Sequence, residues 1–172
     1  VKRRVDENSA KLRILHAPNH PMIKGTEALT KAIENLKSEG LDLELVLLQG
    51  VPNSEIRKAM EDVDLVADQF VIGWYAMFSI EAMAMEKPVL CYLREDLLEL
   101  YIKAGIVSGD EIPLINTDLR DIASKIQWAY ENRKELRAIG KKGREFVLKH
   151  HSTEHVGNVF AEILNKIGIK CE

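Results

Sequence analysis

The chain has 172 residues, of which 46% are hydrophobic and 30% charged, and a net charge of −3, a composition typical of one soluble globular domain. This charge balance gives no indication of nucleic-acid binding, and no apolar run approaches the roughly 18 residues that a membrane span requires. Cys91 and Cys171 are too far apart for a CxxC pair, which argues against a disulfide framework or a zinc site and favours a reducing cytosol.

The first half of the chain alternates between strand and helix patterns. The short apolar run KLRILHA, residues 11–17, predicts a first strand. A helix is predicted from Lys24 to a stop at Gly40, because apolar residues recur there at helical spacing: Leu29, Ala32, Ile33 and Leu36. The nearly continuous apolar run 43–50 predicts a strand buried on both faces of a parallel sheet, and Asn53 or Ser54 is suited to cap the next helix.

The same alternation continues beyond that helix. VDLVAD, residues 63–68, predicts a third strand, and the following helix is expected to begin near Met77 to Ser79. The runs 88–93 and 112–116 predict the fourth and fifth strands. Pro113 places the fifth strand at an edge of the sheet, because proline has no N–H to donate to a neighbouring strand.

Three further features are predicted after the last strand. Asp118 is suited to cap a helix, Gly140 and Gly143 are expected to interrupt the stretch that follows, and Ser152 is expected to start the last helix. The last helix carries its apolar residues on one face: Val156, Val159, Phe160, Ile163 and Ile167.

Strands that alternate with helices predict an α/β fold, a Rossmann-like doubly wound parallel sheet with helices on both faces. We expect this domain to fill residues 11–172, after a polar lead-in or linker over residues 1–10. Ligands of such sheets bind beyond the carboxyl ends of the strands. The loops of interest are therefore those after the first four strands: HAPNHPMIKGT, QGVPNS, DQFVIGWYAM and REDLLEL.

The loop after the first strand combines Lys24 with Gly25 at the start of a helix. Unpaired N–H groups and the dipole make a helix N-terminus favourable for anions, and a lysine there suits a phosphate. The alternative is a solvated surface lysine beside a glycine turn, and spacing alone does not decide between the two. The chain has neither GxGxxG nor GxxxxGK[ST], so the dinucleotide fingerprint and the P-loop are both missing from the sequence.

GWYAMFSIEAMAMEKP, residues 73–88, contains one carboxylate, Glu81, among apolar neighbours. Near the start of a helix it leans back toward the mouth of the sheet, where a carboxylate can accept hydrogen bonds from sugar hydroxyls. A purely dipole-stabilising glutamate would favour polar neighbours instead. Trp74 and Tyr75 are suited either to stack on a base or sugar or to fill the core, and the end of the third strand, Asp68-Gln69, either to face the ligand or to cap a turn.

Histidines give no metal site by sequence. His151 and His155 have the i, i+4 spacing of a metal pair, but no carboxylate or cysteine completes it, and Ser152 between them has the character of a helix cap. His16 and His20 flank a proline turn and make no site on their own. We therefore predict no metal.

Taken in order, four segments resemble the C-terminal half of a GT-B glycosyltransferase of the large family 4, also called group 1: HAPNHPMIKGTEAL, LVLLQG, GWYAMFSIEAMAMEKPVL and KKGREFVLKHHSTEHV. The resemblance covers about residues 11–168. It implies a donor-binding domain of an enzyme that transfers a sugar from a nucleoside-diphosphate sugar, usually with retention at the anomeric carbon.

The resemblance also implies roles for residues. Lys24 is expected to contact the diphosphate, His20 stands where the family usually has an arginine for that task, and Glu81 is expected to bind the ribose hydroxyls, so that Lys24 and Glu81 are the expected catalytic pair. The remaining residues expected to bind the nucleotide or its phosphates are Gly25, Gln49, Gly50, Asp68 and Gln69. The expected donor-sugar loop consists of Gly73, Trp74, Tyr75, Ala76, Met77 and Phe78.

Three departures from the family pattern stand out. The family's first glutamate, eight positions before Glu81, is Gly73 here, and the glycine that the family has before Lys-Pro is Glu86. The family's Gly-Phe-Gly reads Trp74-Tyr75-Ala76. These changes are compatible with an unusual or degenerate transferase.

The resemblance further implies that the N-terminal acceptor domain is absent from this chain. The expected partners are a nucleotide-sugar and, through that domain, a sugar, lipid or polysaccharide acceptor; no cofactor and no nucleic acid are expected. A cytoplasmic location is expected, and it is compatible with peripheral contact at the inner face of a membrane.

Three other functions compete with this interpretation. A non-catalytic nucleotide-binding module is favoured by the missing carboxylate at Gly73, and a GT-B sugar-nucleotide epimerase shares the architecture. A phospho-receiver domain needs an acidic pair after the first strand and a lysine after the fifth, where this chain has HAPN and Asn116-Thr117, so the sequence argues against it.

Overall fold

The computed structural model describes residues 11–169, so the predicted lead-in over 1–10 lies outside the described residues. Its sheet has five parallel strands in the order β2-β1-β3-β4-β5. The strands are β1 (Leu12–His16), β2 (Leu43–Leu47), β3 (Leu65–Ala67), β4 (Val89–Cys91) and β5 (Ile115–Asn116). In the register of the three strands on the β2 side, Ile14 lies between Leu45 and Leu65.

Within residues 11–169 the strands are joined and followed by eight helices. These are α1 (Pro21–Lys24), α2 (Thr26–Ser38), α3 (Asn53–Glu61), α4 (Met77–Ala84), α5 (Glu95–Lys103), α6 (Ile122–Glu131), α7 (Arg133–His150) and α8 (Thr153–Lys166). In this part of the chain no helix combines the length and the apolar character needed to cross a membrane.

Two hydrophobic cores cover the two faces of the sheet. Alternate residues of β1 point to opposite faces, so Ile14 belongs to the core that includes α2 and α6, whereas Leu15 belongs to the core that includes α3 and α4. Helix α7 contributes Leu136 to the first core and Phe146 to the second. Helices on both faces of a parallel sheet confirm the predicted doubly wound α/β fold.

The prediction that the second strand is buried on both faces is wrong. Strand β2 lies at an edge of the sheet, where only Leu43 is fully buried and Leu47 is exposed. An apolar run predicts a strand, but it does not show whether that strand has a neighbouring strand on one side or on both. The fifth strand does lie at an edge, as predicted, but it is shorter and begins after Pro113.

Three helix predictions also fail. Gly140 and Gly143 do not interrupt the chain, because α7 runs continuously through both of them. Helix α6 is capped at Asp121, not Asp118, since Asp118 instead accepts a hydrogen bond from the backbone N–H of Arg120 in a separate turn. The cap of α3 is Pro52, not Asn53 or Ser54 as predicted.

Candidate functional site

The loops after β1 and β3 meet at one point of the sheet edge. Strands β1 and β3 are neighbours, and the chain leaves β1 toward β2 on one side and β3 toward β4 on the other. This reversal of strand order is the position at which doubly wound sheets bind ligands, beyond the carboxyl ends of their strands.

Three side chains converge at this switch point. The Lys24 ammonium, at the end of α1, forms an ion pair with Asp68, which follows β3 directly. The Ser79 hydroxyl, in the first turn of α4, donates to the other carboxylate oxygen of Asp68 at 2.6 Å. The Asp68 side chain is fully buried, whereas that of Lys24 keeps 15% of its surface exposed. Lys24 is therefore a fixed cation at the rim of the site, not a solvated surface lysine.

Gly25 sets the position of Lys24. Its φ of 74° lies in the left-handed region, and a side chain there would meet Phe70 Cδ2 at 3.2 Å and Leu119 Cδ2 at 3.1 Å. Gly25 is also the junction at which α1 ends and α2 begins. A residue with a side chain would both strain this junction and push against its neighbours.

The two histidines of the first loop have different surroundings. His16 is completely buried and bonds through Nδ1 to the Ala67 carbonyl and through Nε2 to the Thr26 hydroxyl, both at 2.8 Å. Burial lowers the pKa of His16 below its usual 6.5 and favours the neutral ring. His20, which precedes α1, is exposed at the rim and makes no side-chain cap.

The loop after β3 is folded around the side chain of Gln69. Its Oε1 accepts from the backbone N–H groups of Val71, Ile72 and Gly73 at 3.2, 2.8 and 3.4 Å. Its Nε2 donates to the Trp74 carbonyl at 2.6 Å. Gln69 is 2% exposed, so its amide holds the loop from inside and does not face the cleft.

Gly73 is in close contact with Arg94. Its φ is 88°, and a Cβ built there would lie 2.6 Å from Arg94 Cδ and closer still to Arg94 Cγ. The backbone N–H of Arg94 donates to the Gly73 carbonyl at 2.9 Å. The Arg94 side chain therefore fills the space that a side chain at position 73, such as the family's glutamate, would occupy.

The aromatic residues of the same loop turn toward the second core. Trp74 lies against Tyr75 and Tyr101, with ring centroids 5.3 and 4.3 Å away, and Tyr75 is 9% exposed. Of the remaining residues of the expected donor-sugar loop, Ala76 and Met77 are exposed and Phe78 is half-buried. Ala76 precedes α4 without a side-chain cap, which leaves the first N–H groups of α4 available at the sheet edge.

Glu81 is exposed on α4 and lines a cavity of about 390 Å³ between α3 and α4. Among residues 11–169 it makes no ion pair or hydrogen bond through its carboxylate. The other polar residues that line this cavity are Asn53, Ser54 and Arg57. Sequence reasoning missed Arg57, since only the packing of α3 beside α4 brings it near Glu81. Gln49 and Gly50 lie exposed in the loop after β2.

Over residues 11–169, no group of three His, Cys, Asp or Glu side chains is arranged to hold a metal ion. The positive charge available at the switch point comes from Lys24 and from the N-terminus of α4.

Solved structures of low sequence identity share this fold. A mutant of S. aureus TarM in complex with fondaparinux, alpha-GlcNAc-glycerol and UDP matches at 17% identity and a TM-score of 0.64 over 89% of this chain and 35% of its own. Sucrose-phosphate synthase from Thermosynechococcus elongatus matches at 17% identity and a TM-score of 0.60 over 91% of this chain and 45% of its own.

A third similar structure belongs to another class of enzyme. It is a putative UDP-N-acetylglucosamine 2-epimerase from Listeria monocytogenes, with 14% identity and a TM-score of 0.51 over 93% of this chain and 46% of its own. The chain thus spans less than half the length of each of these three structures. No curated protein sequence matches it.

The family assignment comes from the sequence profile of residues 49–163, which matches the family described as glycosyl transferase-like. The matched segment includes the Gln69 loop, Glu81 and α7. Together with the shared fold, this match confirms the resemblance to one half of a GT-B glycosyltransferase. Since the match covers more than half of its length, the chain belongs to the glycosyl transferase-like family.

Proposed function

We propose that this chain is the donor-binding domain of a glycosyltransferase and binds a nucleoside-diphosphate sugar at the switch point between β1 and β3. The observation that carries this proposal is the Lys24–Asp68–Ser79 cluster. It fixes one ammonium group, partly open to solvent, where a doubly wound sheet binds its ligand.

In this proposal Lys24 and the uncapped N-terminus of α4 hold the diphosphate. Both carry positive charge, and both lie at the same edge of the sheet. When the bond between the anomeric carbon and the diphosphate oxygen breaks, negative charge grows on the leaving nucleoside diphosphate, and these groups stabilise it. Asp68 keeps Lys24 in place, and no cofactor is needed for this role.

Glu81 is assigned to the ribose in the same proposal. Its carboxylate has no ion pair within the described residues, and it faces the cavity shared with Asn53, Ser54 and Arg57. An ionised carboxylate accepts hydrogen bonds from two neighbouring hydroxyls, which matches the 2′ and 3′ positions of a ribose.

The acceptor is assigned to the part of the protein outside this chain. The chain spans 35% of the TarM mutant, whose structure holds UDP together with a glycosylated glycerol. We infer a corresponding division here, in which this domain binds the nucleotide-sugar and another domain presents a sugar, lipid or polysaccharide. Retention at the anomeric carbon and a cytoplasmic location at the inner face of a membrane are part of the same proposal.

Nucleotide binding tests the proposal directly. The melting temperature of the chain is measured with UDP, GDP, ADP and CMP, and the ligand at 100 times its Kd adds about 2.7 kcal/mol, or roughly 5–10 °C. Calorimetry then compares Lys24→Ala with Lys37→Ala, a lysine in the last turn of α2. We expect only Lys24→Ala to weaken binding, by tenfold or more. Undiminished binding in Lys24→Ala, or no shift with any nucleotide, would contradict the proposal.

A non-catalytic nucleotide-binding module is the second candidate, favoured by the Gly73–Arg94 contact. Both candidates bind nucleotide, so the distinction requires activity of the full-length protein. Donor consumption with formation of free nucleoside diphosphate supports the transferase. Tight binding with an unchanged donor supports the module, and conversion of the donor sugar into its epimer supports an epimerase.

A further inference from the structure

The junction between α7 and α8 contacts the loop after β3 through one histidine. His151 lies between the end of α7 at His150 and the cap of α8 at Ser152. Its Nε2 is 3.1 Å from the Tyr75 hydroxyl, across 76 positions of sequence. The His151 ring stands edge-on to Tyr75, with centroids 5.6 Å apart and planes at 81°. A hydrogen bond and a ring contact thus join two segments that are distant in sequence.

From Tyr75 the contacts continue into the candidate site. Tyr75 is followed by Ala76, which precedes α4, and it stacks on Trp74. The Trp74 carbonyl accepts from Gln69, the residue that holds the loop together. The His151 ring is therefore connected to the loop through a series of groups in direct contact.

The charged groups around His151 favour its neutral form. His150 and Lys149 both bond Glu111, with His150 Nε2 2.7 Å from the carboxylate, and these contacts lower the pKa of Glu111 to about 2. Glu111 is thus engaged elsewhere, and within the described residues no carboxylate contacts His151. Burial first, and then the like charges of His150 and His155, lower the pKa of His151.

The partner of His151 keeps its proton over the same range of pH. Burial, together with nearby Tyr101, raises the pKa of Tyr75 to about 12, so the hydroxyl stays protonated and is able to donate to the tautomer of His151 whose Nε2 is unprotonated. The His151 ring also lines a cavity of about 980 Å³, which gives a protonated ring a route to water.

We propose that His151 is a positioning residue that holds Tyr75, and with it the loop over residues 69–76, only while its ring is neutral. Protonation places a partly buried cation next to the like charges of His150 and His155 and turns Nε2 from an acceptor into a donor, so the bond to Tyr75 has to reverse. The ring then leaves for the open cavity and the loop loses its support. The nucleotide site is thereby coupled to pH and to the bend between α7 and α8.

The fluorescence of Trp74 tests this coupling in the absence of a ligand. A Trp128→Phe background leaves Trp74 as the single tryptophan, and its emission is recorded between pH 5 and 8. We expect a sigmoidal change with a midpoint below 6.5, lost in both His151→Phe and Tyr75→Phe. The matched control His155→Gln keeps the transition and raises its midpoint, because one like charge is gone. Circular dichroism establishes that each variant is folded.

Two results would overturn the coupling: an emission that does not change with pH, or a transition that survives His151→Phe. Tyr75→Phe keeps the aromatic ring of residue 75 and removes only its hydroxyl. If His151→Phe fails to fold, a transition that survives Tyr75→Phe overturns the coupling instead.

The consequence for ligand binding rests on the proposed function and has its own readout. With UDP and GDP as probes at pH 7.5, we expect His151→Phe and Tyr75→Phe each to weaken binding about two- to tenfold, and the double variant to be no weaker than either one. Additive losses would mean that the two residues act independently. Absence of binding by the unmodified chain contradicts the proposed function and leaves the emission result unaffected.

Discussion

Glu86 adopts a left-handed backbone conformation, with φ at 59°, directly before the buried Lys87. The Lys87 ammonium donates to the carbonyls of Glu61 and Val63 at 3.0 and 2.8 Å, which fixes the turn. A residue with a Cβ pays about 1–2 kcal/mol for this conformation, whereas glycine adopts it freely. The structure thus explains why a glycine suits this position, and the chain tolerates glutamate at some cost in stability.

Glu86→Gly is expected to raise the free energy of unfolding by about 1 kcal/mol. The ion pair lost with Arg144 is 4.0 Å long and about 40% exposed at both ends, so it contributes little. Urea denaturation measures the change. The control is Glu86→Ala, which removes the carboxylate but keeps the Cβ, and an equal gain in that variant would show that the backbone is not the cause.

Asp68→Asn is expected to destabilise the chain by about 3 kcal/mol, because the Lys24 ammonium loses its buried carboxylate. Asp121→Asn is the comparison. Its pair with Lys125 is 3.9 Å long and more than a third exposed, so we expect a loss below about 1 kcal/mol. Equal losses in chemical denaturation would mean that the Lys24–Asp68 pair is not held as tightly as its burial indicates.

At the scale of the elements, the packing of α7 on α4 depends on glycines. A Cβ on Gly140 would collide with the backbone carbonyl of Glu86, and one on Gly143 would lie 3.1 Å from Met83 Cγ. These two positions let the axis of α7 approach α4 and the turn that follows it. In the sequence the same glycines indicate a break in the helix, because their low helix propensity is a local property and the helix that faces them is not.

A comparison of Gly140→Ala with Gly157→Ala separates the effect of helix propensity from the effect of packing between helices. Each replaces a glycine inside a helix, where alanine is favoured by up to about 1 kcal/mol. Gly157 on α8 has nothing within 4 Å of its added Cβ, so we expect stabilisation there. Gly140→Ala is expected to lower the free energy of unfolding by about 2 kcal/mol through overpacking. A gain in thermal stability for both variants would refute the close contact between α7 and the Glu86 turn.

For the molecule as a whole, stability is expected to fall at mildly acid pH. The pKa values of His16 and His151 are lowered in the folded chain, chiefly by burial. Well above pH 6.5 both rings are neutral in the folded and unfolded states, and the full stability is present. As the pH falls below 6.5 the unfolded chain binds protons first, so the free energy of unfolding decreases.

Urea unfolding at pH 7.5 and 5.5 checks this expectation, with a lower midpoint at pH 5.5. His16→Gln is expected to flatten part of the dependence, because it removes one buried ring that must stay neutral. An unchanged difference between the two pH values in that variant would exclude His16 as a source. Glu111 contributes at lower pH. Because folding lowers its pKa from 4.5 to about 2, its contribution to stability is lost only as the pH falls below 4.5.

The sequence is sufficient to predict the fold, and it indicates some residues of the candidate site. Alternating patterns predict the parallel sheet. Residue types that are unusual for their surroundings single out Lys24 and Gly25 in a loop and Glu81 near the start of a helix, and their roles stay predictions. The Lys24–Asp68 pair joins residues 44 positions apart and depends on β1 lying beside β3, which no local pattern states. For the same reason Arg57 beside Glu81 and Arg94 against Gly73 were found only in three dimensions.

Gln69 has a consequence for how this site can change its specificity. Its amide bonds backbone groups of residues 71–74, so the side chains of Val71 and Ile72 are not needed to hold the loop. Val71 and Ile72, both exposed, can therefore be substituted without changing the backbone conformation of the loop. The loop is a preformed platform on which new ligand contacts can be selected one residue at a time, with no added cost of ordering the chain.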